Sequence, residues 1–346
     1  MTTEWRFIAA FAAQFERCQL QEGETVALLS ESQSRLALVE TARLAAQSLG
    51  GRVFDVVVPT PPSAHPVPIR STGASQALAG HPPVIWALAA SDFVIDCTVE
   101  GLLHSPELGQ ILGGGARVLM ISNEHPEVFD RLQWDADLSR RVDLGHEWLR
   151  SAAAMHVTSS EGTDLTVQLA GATTAGSTGI TDGPGSIAHW PGGLVLAFPA
   201  AHTVNGTIVL AAGDMNLTFN RLLETPITLH IIDDHIELIE GDGADAILFR
   251  SYLSSFGDRD SYATSHVGWG MNQYARWDAS QLYDRRETWG TEARAYAGNF
   301  LYSTGANENA GRFTAGHFDL PMRNCTVRLD DRTVVTAGEL VAELLP

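Results

Sequence analysis

"GETVALLSESQSRLALVETARLAAQSLGGRVFDVVV", residues 23–58, decides the fold class. Gly23 opens a turn, and the TVALLS that follows is a short apolar run of strand character. Residues 31–51 then carry apolar side chains at helical spacing and end at Gly50-Gly51, a C-terminal stop signal. RVFDVVV (52–58) is a second apolar strand. A strand, a crossover helix and a second strand, joined with the usual right hand, make a parallel sheet covered by helices. The order recurs. VIWALAASDFVIDCT (84–98) and ELGQILGGGARVLMIS (107–122) each read as a helix running into a strand. VPTPPSAHPVP (58–68) is proline-rich and is expected to be loop. Residues 1–150 are therefore expected to form an α/β domain with a parallel sheet.

The texture changes near Ala152. Strand runs follow in MHVTSSEGTDLTVQLAG, GGLVLAFP, GTIVLAAGD and PITLHIIDDHIELIEG, the last with a hairpin signal at Asp233-Asp234. ADAILFRSYLSSF (244–256) is helical in pattern. Residues 151–346 are expected to form a second, mixed α+β domain. GGGAR (113–117) follows a helix and precedes a strand, the reverse of the order a dinucleotide loop needs, so it is read as a helix cap and turn.

Composition narrows the function. The chain has 346 residues and a formal net charge of −19. So acidic a surface repels phosphate backbones and anionic lipid, which argues against a nucleic-acid or membrane partner. Cys18, Cys97 and Cys325 are scattered and form no disulfide framework, as in a reducing compartment. The N-terminal MTTEWRFIAAFAAQFERCQL has no basic start before its apolar run and reads as an amphipathic helix, not a signal peptide. No apolar run is long enough to span a bilayer. A cytoplasmic location is expected.

Twelve histidines are present. His65, His81 and His125 each precede a proline in loops, and His230 and His235 sit in hairpin strands that face solvent; none is given a role. AGHFDLPM (315–322) differs, because residues two apart on a strand share a face. His317 and Asp319 would project together while Phe318 and Leu320 pack behind. One imidazole and one carboxylate are two-thirds of the 2-His-1-carboxylate set that binds non-haem iron(II). A plain His–Asp hydrogen bond is the other reading. The best candidate for a third ligand is His266, ahead of what reads as a Gly-Trp-Gly turn that lets backbone approach closely; His104, after the FVIDCT strand, and His189, beside Trp190, are the others.

At this point the chain resembles a family over nearly its full length. CQLQEGETVALLSESQSRLALVETARLAAQSLGG, WPGGLVLAFP, SHVGWGMN, GNFLYSTGAN and GHFDL resemble, in order, segments of the aminopeptidase T-type metallopeptidases. Those enzymes hold two metal ions. Where they carry two further ligands this chain has Leu194 and Leu301, and where they carry a glutamate it has His266. The remainder is similar to the 2,5-dihydroxypyridine 5,6-dioxygenases of nicotinate and nicotine breakdown, which share the aminopeptidase T-like fold. The resemblance implies one Fe(II) per chain on His266, His317 and Asp319. It further implies His104 as acid/base, and Leu103, His189 and Ser303 as substrate-pocket residues. It implies O2 and a small aromatic substrate, opened between C5 and C6 to N-formylmaleamate, and a homo-oligomer. Two rivals remain open at this stage: a mononuclear metallo-aminopeptidase or amidohydrolase, in which one zinc activates water, and a non-catalytic binding protein on an inherited fold.

Overall fold

The computed structural model describes residues 3–67, 75–132, 135–181 and 183–345. The expected proline-rich loop runs on from the strand that ends at Val58, and its residue 68 lies outside the described residues.

Strand and helix alternate as the sequence predicts. Thr25–Glu31, Arg52–Val58, Phe93–Cys97 and Arg117–Ile121 pair in parallel. Thr25–Glu31 lies between Arg52–Val58 and Phe93–Cys97, so the sheet grows in opposite directions from it. The strand Ile187–Trp190, from beyond residue 150, completes the sheet by pairing in parallel with Arg117–Ile121. Burial on both faces requires strands apolar throughout, and Phe93, Val94 and Ile95 are completely shielded. The helix Trp5–Arg17 buries Phe7, Phe11, Gln14 and Phe15, a stripe at helical spacing. Phe11 meets Trp190 edge-on at 4.7 Å and Phe129 at 5.3 Å. This aromatic cluster seals one face of the sheet.

Beyond residue 150 two antiparallel sheets stack. The first, of eight strands, includes Ala154–Ser159, Asp164–Gln168, Val204–Leu210 and the hairpin Ile227–Ile232/His235–Glu240. The second has the order Arg312–Met322, Phe300–Asn307, Thr264–Gly270, Leu194–Phe198, Thr173–Ser177. One face of this second sheet gives Val195, Val267, Trp269, Phe300, Tyr302, Phe318 and Leu320 to the core shared with the first. Side chains alternate along a strand, so its other face carries Leu194, Leu196, His266, Leu301, Ser303, His317 and Asp319. That face looks toward the carboxyl ends of the parallel strands, where open α/β sheets gather their sites.

The Gly-Trp-Gly segment expected as a turn is a correction. Gly268 and Gly270 lie inside the continuous strand Thr264–Gly270. A Cβ on Gly268 would stand 2.0 Å from the Val195 carbonyl, and one on Gly270 2.2 Å from that of Tyr296. The glycines admit close backbone approach, which a sequence reading confuses with turning.

Candidate metal centre and active-site cavity

His317 and Asp319 share a face, as the alternation requires, with Phe318 buried behind them against Phe249 at 4.4 Å. Opposite them on the neighbouring strand lie Gly305 and Ser303. His266 sits on the next strand at a shift in register between Thr264 and Val267. Such a bulge re-aims a side chain. The rings of His266 and His317 stack with centroids 5.5 Å apart. The His266 and His317 Nε2 atoms lie 3.6 Å and 3.2 Å from Asp319 Oδ1.

His104 arrives from the other side, on the loop after Phe93–Cys97. Its ring lies 6.1 Å from that of His266 and 5.3 Å from that of His317. One nitrogen each of His104, His266 and His317 lies within 4.8 Å of the others, the one cluster of this kind among the described residues. The buried Nδ1 of His317 has no hydrogen-bond partner.

Asp319 is held at both oxygens. Oδ2 accepts from Arg294 Nε at 2.5 Å. Oδ1 accepts a short bond from Ser303 Oγ, which also lies 3.0 Å from His266 Nε2. Burial pushes the Asp319 carboxyl up, but Arg294 and His317 outweigh it and hold it well below the usual carboxylate range. Arg294 donates to the Trp289 carbonyl at 2.7 Å, and its guanidinium stacks 4.5 Å from the Trp289 ring. Glu124, itself buried, anchors that segment by accepting from the backbone of Trp289 and Thr291.

The cavity in front of this cluster is lined by Leu103, His104, His189, Trp289, Arg294 and the apolar wall Leu194, Leu196, Phe198 and Leu301. Leu194 and Leu301 thus face the same cavity as His266, His317 and Asp319. Ser303 does not line the cavity. It is fully buried behind Asp319 and orients the carboxylate. Arg294, Trp289 and Ser122 escaped the sequence reading. Arg294 sits in a short helix, Thr291–Ala295, whose pattern carries no sign of what it meets. Ser122 makes a short hydrogen bond with His189 Nε2 and another, at 2.8 Å, with Thr291.

Burial lowers the pKa of His104 and His266 to about 3, helped at His104 by its two histidine neighbours. Burial, with Arg294 second, lowers His189 to about 4. All three are neutral at pH 7 and offer lone pairs. His189 makes a stability prediction. Its folded pKa lies below the unfolded value of about 6.5, so its contribution is complete above that pH and is lost as pH falls towards 4. The loss reaches about 3 kcal/mol at about 1.4 kcal/mol per pH unit. Denaturant midpoints of metal-free protein at pH 7.5 and 4.5 should show a smaller drop for His189→Gln than for the unsubstituted chain; equal drops would refute this account of His189.

Comparison with known proteins agrees with the geometry. The model of the family NicX: 2,5-dihydroxypyridine 5,6-dioxygenase matches residues 6–342. A 2,5-dihydroxypyridine 5,6-dioxygenase of Pseudomonas putida is 38% identical over 328 residues, covering 94% of this chain and 93% of that one. The solved structure of a 2,5-dihydroxypyridine dioxygenase from Pseudomonas putida KT2440 superposes with a TM-score of 0.90 at 36% identity, over 97% of both chains. Wild-type AmpT from Thermus thermophilus matches at a TM-score of 0.61 and 14% identity, over 97% of this chain and 99% of its own, a likeness of fold alone. The aminopeptidase T-like α/β architecture is thus shared, and the chain belongs to the 2,5-dihydroxypyridine 5,6-dioxygenase family.

Proposed function

We propose that the chain is a non-haem iron(II) dioxygenase of the extradiol type, with one iron held by His266, His317 and Asp319. Its substrate is 2,5-dihydroxypyridine or a closely related hydroxylated N-heteroaromatic ring, opened between C5 and C6 to N-formylmaleamate. The observation that carries this is the convergence of two buried imidazoles and one carboxylate on a single sheet face. The donor set fits iron(II), which accepts imidazole and carboxylate together. The orphaned His317 Nδ1 and the neutral state of His266 fit it too, since a ligand must be unprotonated. Leu194 and Leu301, which the resemblance to the aminopeptidase T-type enzymes puts where a second metal's ligands would be, give the cavity an apolar wall that cannot bind metal, which disfavours the peptidase reading.

When bound, iron(II) supplies the redox chemistry by which O2 can react with an electron-rich ring. The chain's own residues do the rest. A ring nitrogen of His104, unprotonated and on the opposite side of the cavity from the sheet, takes the proton of the substrate hydroxyl and returns it as the ring opens. Leu103 and His189 border the ring. Leu194, Leu196, Phe198 and Leu301 exclude water. Ser303 and Arg294 hold Asp319 in one orientation. Both oxygen atoms of O2 enter the product.

We assign the protein to the cytoplasm, since its three cysteines are free and buried. No helix among the described residues is long and apolar enough to cross a membrane. Homo-oligomerisation is carried over from the resemblance, and the charge of −19 disfavours a nucleic-acid partner.

Anaerobically purified protein loaded with iron(II) tests the assignment. Adding 2,5-dihydroxypyridine should consume one O2 per ring as the substrate's ultraviolet absorbance falls. Iron bound without O2 uptake would move the search to other hydroxylated rings. A chain that takes up no iron, yet hydrolyses an amide once given zinc, would replace this reading with the hydrolase.

A further inference from the structure

Among the described residues no hydrogen bond holds the ring of His104. The side chain given the proton-transfer role is placed by its loop and by ring contacts with Phe198, His266 and His317. What fixes the loop therefore fixes the chemistry. The loop leaves the sheet after Cys97 and is tied at its base by one carboxylate. Asp96 Oδ1 accepts from Thr98 N at 2.9 Å and Thr98 Oγ1 at 2.6 Å, and Oδ2 accepts from Leu102 N at 2.7 Å. Asp96 is fully buried. A buried carboxylate that is not ligating must be satisfied by donors, and these three bonds close the turn from 98 to 102.

Two neighbouring features press the same loop onto the sheet. Glu31 Oε1 accepts from Val99 N at 3.0 Å. Gly101 has φ +74°, and a Cβ there would lie 1.9 Å from the end of the Met120 side chain, itself on the cavity wall. The chain from Asp96 to Leu102 is thus clamped at each end, and Leu103 and His104 follow directly into the cavity.

We propose that Asp96 is a positioning residue for the reaction, acting through His104 by holding the 98–102 turn. The inference rests on the proton-transfer role given to His104 above. In Asp96→Asn, an amide oxygen turned to Thr98 leaves an NH2 facing the Leu102 N–H. Two donors then meet, and the turn is released. Displacement of a proton-transfer group by about 1 Å can cost about a hundredfold.

The test is a double-mutant cycle on the iron-loaded enzyme with Asp96→Asn, His104→Ala and the pair, reading kcat, KM and iron content. Asp96→Asn should lower kcat by about 10- to 100-fold, leave iron at wild-type content and change KM little. Added to His104→Ala it should cost almost nothing more, which a merely destabilising change would not do. A wild-type kcat in Asp96→Asn, additive losses in the pair, or loss of iron would each overturn the proposal. If Asp96→Asn fails to fold, Thr98→Val removes one of the three bonds at constant shape and enters the same cycle. A fully active His104→Ala would remove the proton-transfer reading itself, and the proposal with it; that result is visible in the single variant, before the cycle is closed.

Discussion

His317→Ala should yield a folded protein that holds no iron and consumes no O2. His317 and His266 project from the face of their sheet that turns away from the shared core, so truncating either leaves Phe318, Trp269 and Tyr302 packed as before. Stability therefore changes little, while the proposed iron centre loses one of its three ligands. Disturbing only the groups that orient a ligand costs about 10- to 100-fold in metal affinity, so deleting a ligand should exceed that. Asp319→Asn should behave differently. It weakens metal binding and also leaves the largely shielded Arg294 guanidinium, 2.5 Å away, without its carboxylate partner. Breaking a buried pair by removing one member costs about 3–5 kcal/mol. Iron content by chelator assay and a denaturant midpoint on each variant separate the two cases. His317→Ala that retained stoichiometric iron would refute the ligand assignment. An unchanged midpoint in Asp319→Asn would show that the Arg294 pair contributes little to the fold.

The parts of this architecture that are legible in the sequence are those whose signal is local. The strand–helix–strand order of residues 23–58 is contiguous, and so is the period of two that puts His317 and Asp319 on one face with Phe318 and Leu320 behind. The strand Ile187–Trp190 is not legible. Four residues, IAHW, carry no usable period, and their place in the parallel sheet comes from a ladder with residues 118–121, about seventy positions earlier in the chain. His266 is legible as a candidate, but its strand is not, because two glycines signal close approach and turning alike. The partners that make the site work are tertiary throughout. Nothing near residue 294 announces that its guanidinium meets Asp319, nothing near residue 303 announces that its hydroxyl lies behind that carboxylate, and Asp96 reads as one more polar residue ending an apolar strand. Among twelve histidines, local pattern alone makes His266 the best candidate for a third ligand, with His104 and His189 behind it. The family resemblance singles out His266, read through the leucines at 194 and 301.

His104→Ala should lower kcat by about 10²- to 10⁴-fold, the range a positioned acid/base group contributes, while iron stays bound. The expectation follows from where the residue sits. The three assigned ligands come from two strands of one rigid sheet, and one of them is a carboxylate locked by Arg294 and Ser303. His104 comes from a loop on the far wall. Burial and two neighbouring imidazoles keep it neutral, so one ring nitrogen carries a free lone pair. The opposing arrangement has geometric support as well. The nitrogens of His104, His266 and His317 lie within 4.8 Å of one another, and Asp319 already has a cationic partner, so three histidines could hold the metal with the carboxylate orienting them. Iron content of His104→Ala decides between the two. Iron retained with slow turnover makes His104 the base and Asp319 the third ligand. Iron lost from His104→Ala but kept in Asp319→Asn makes the centre a three-histidine site, and the proton acceptor would then have to be sought at His189, the remaining imidazole on the cavity wall.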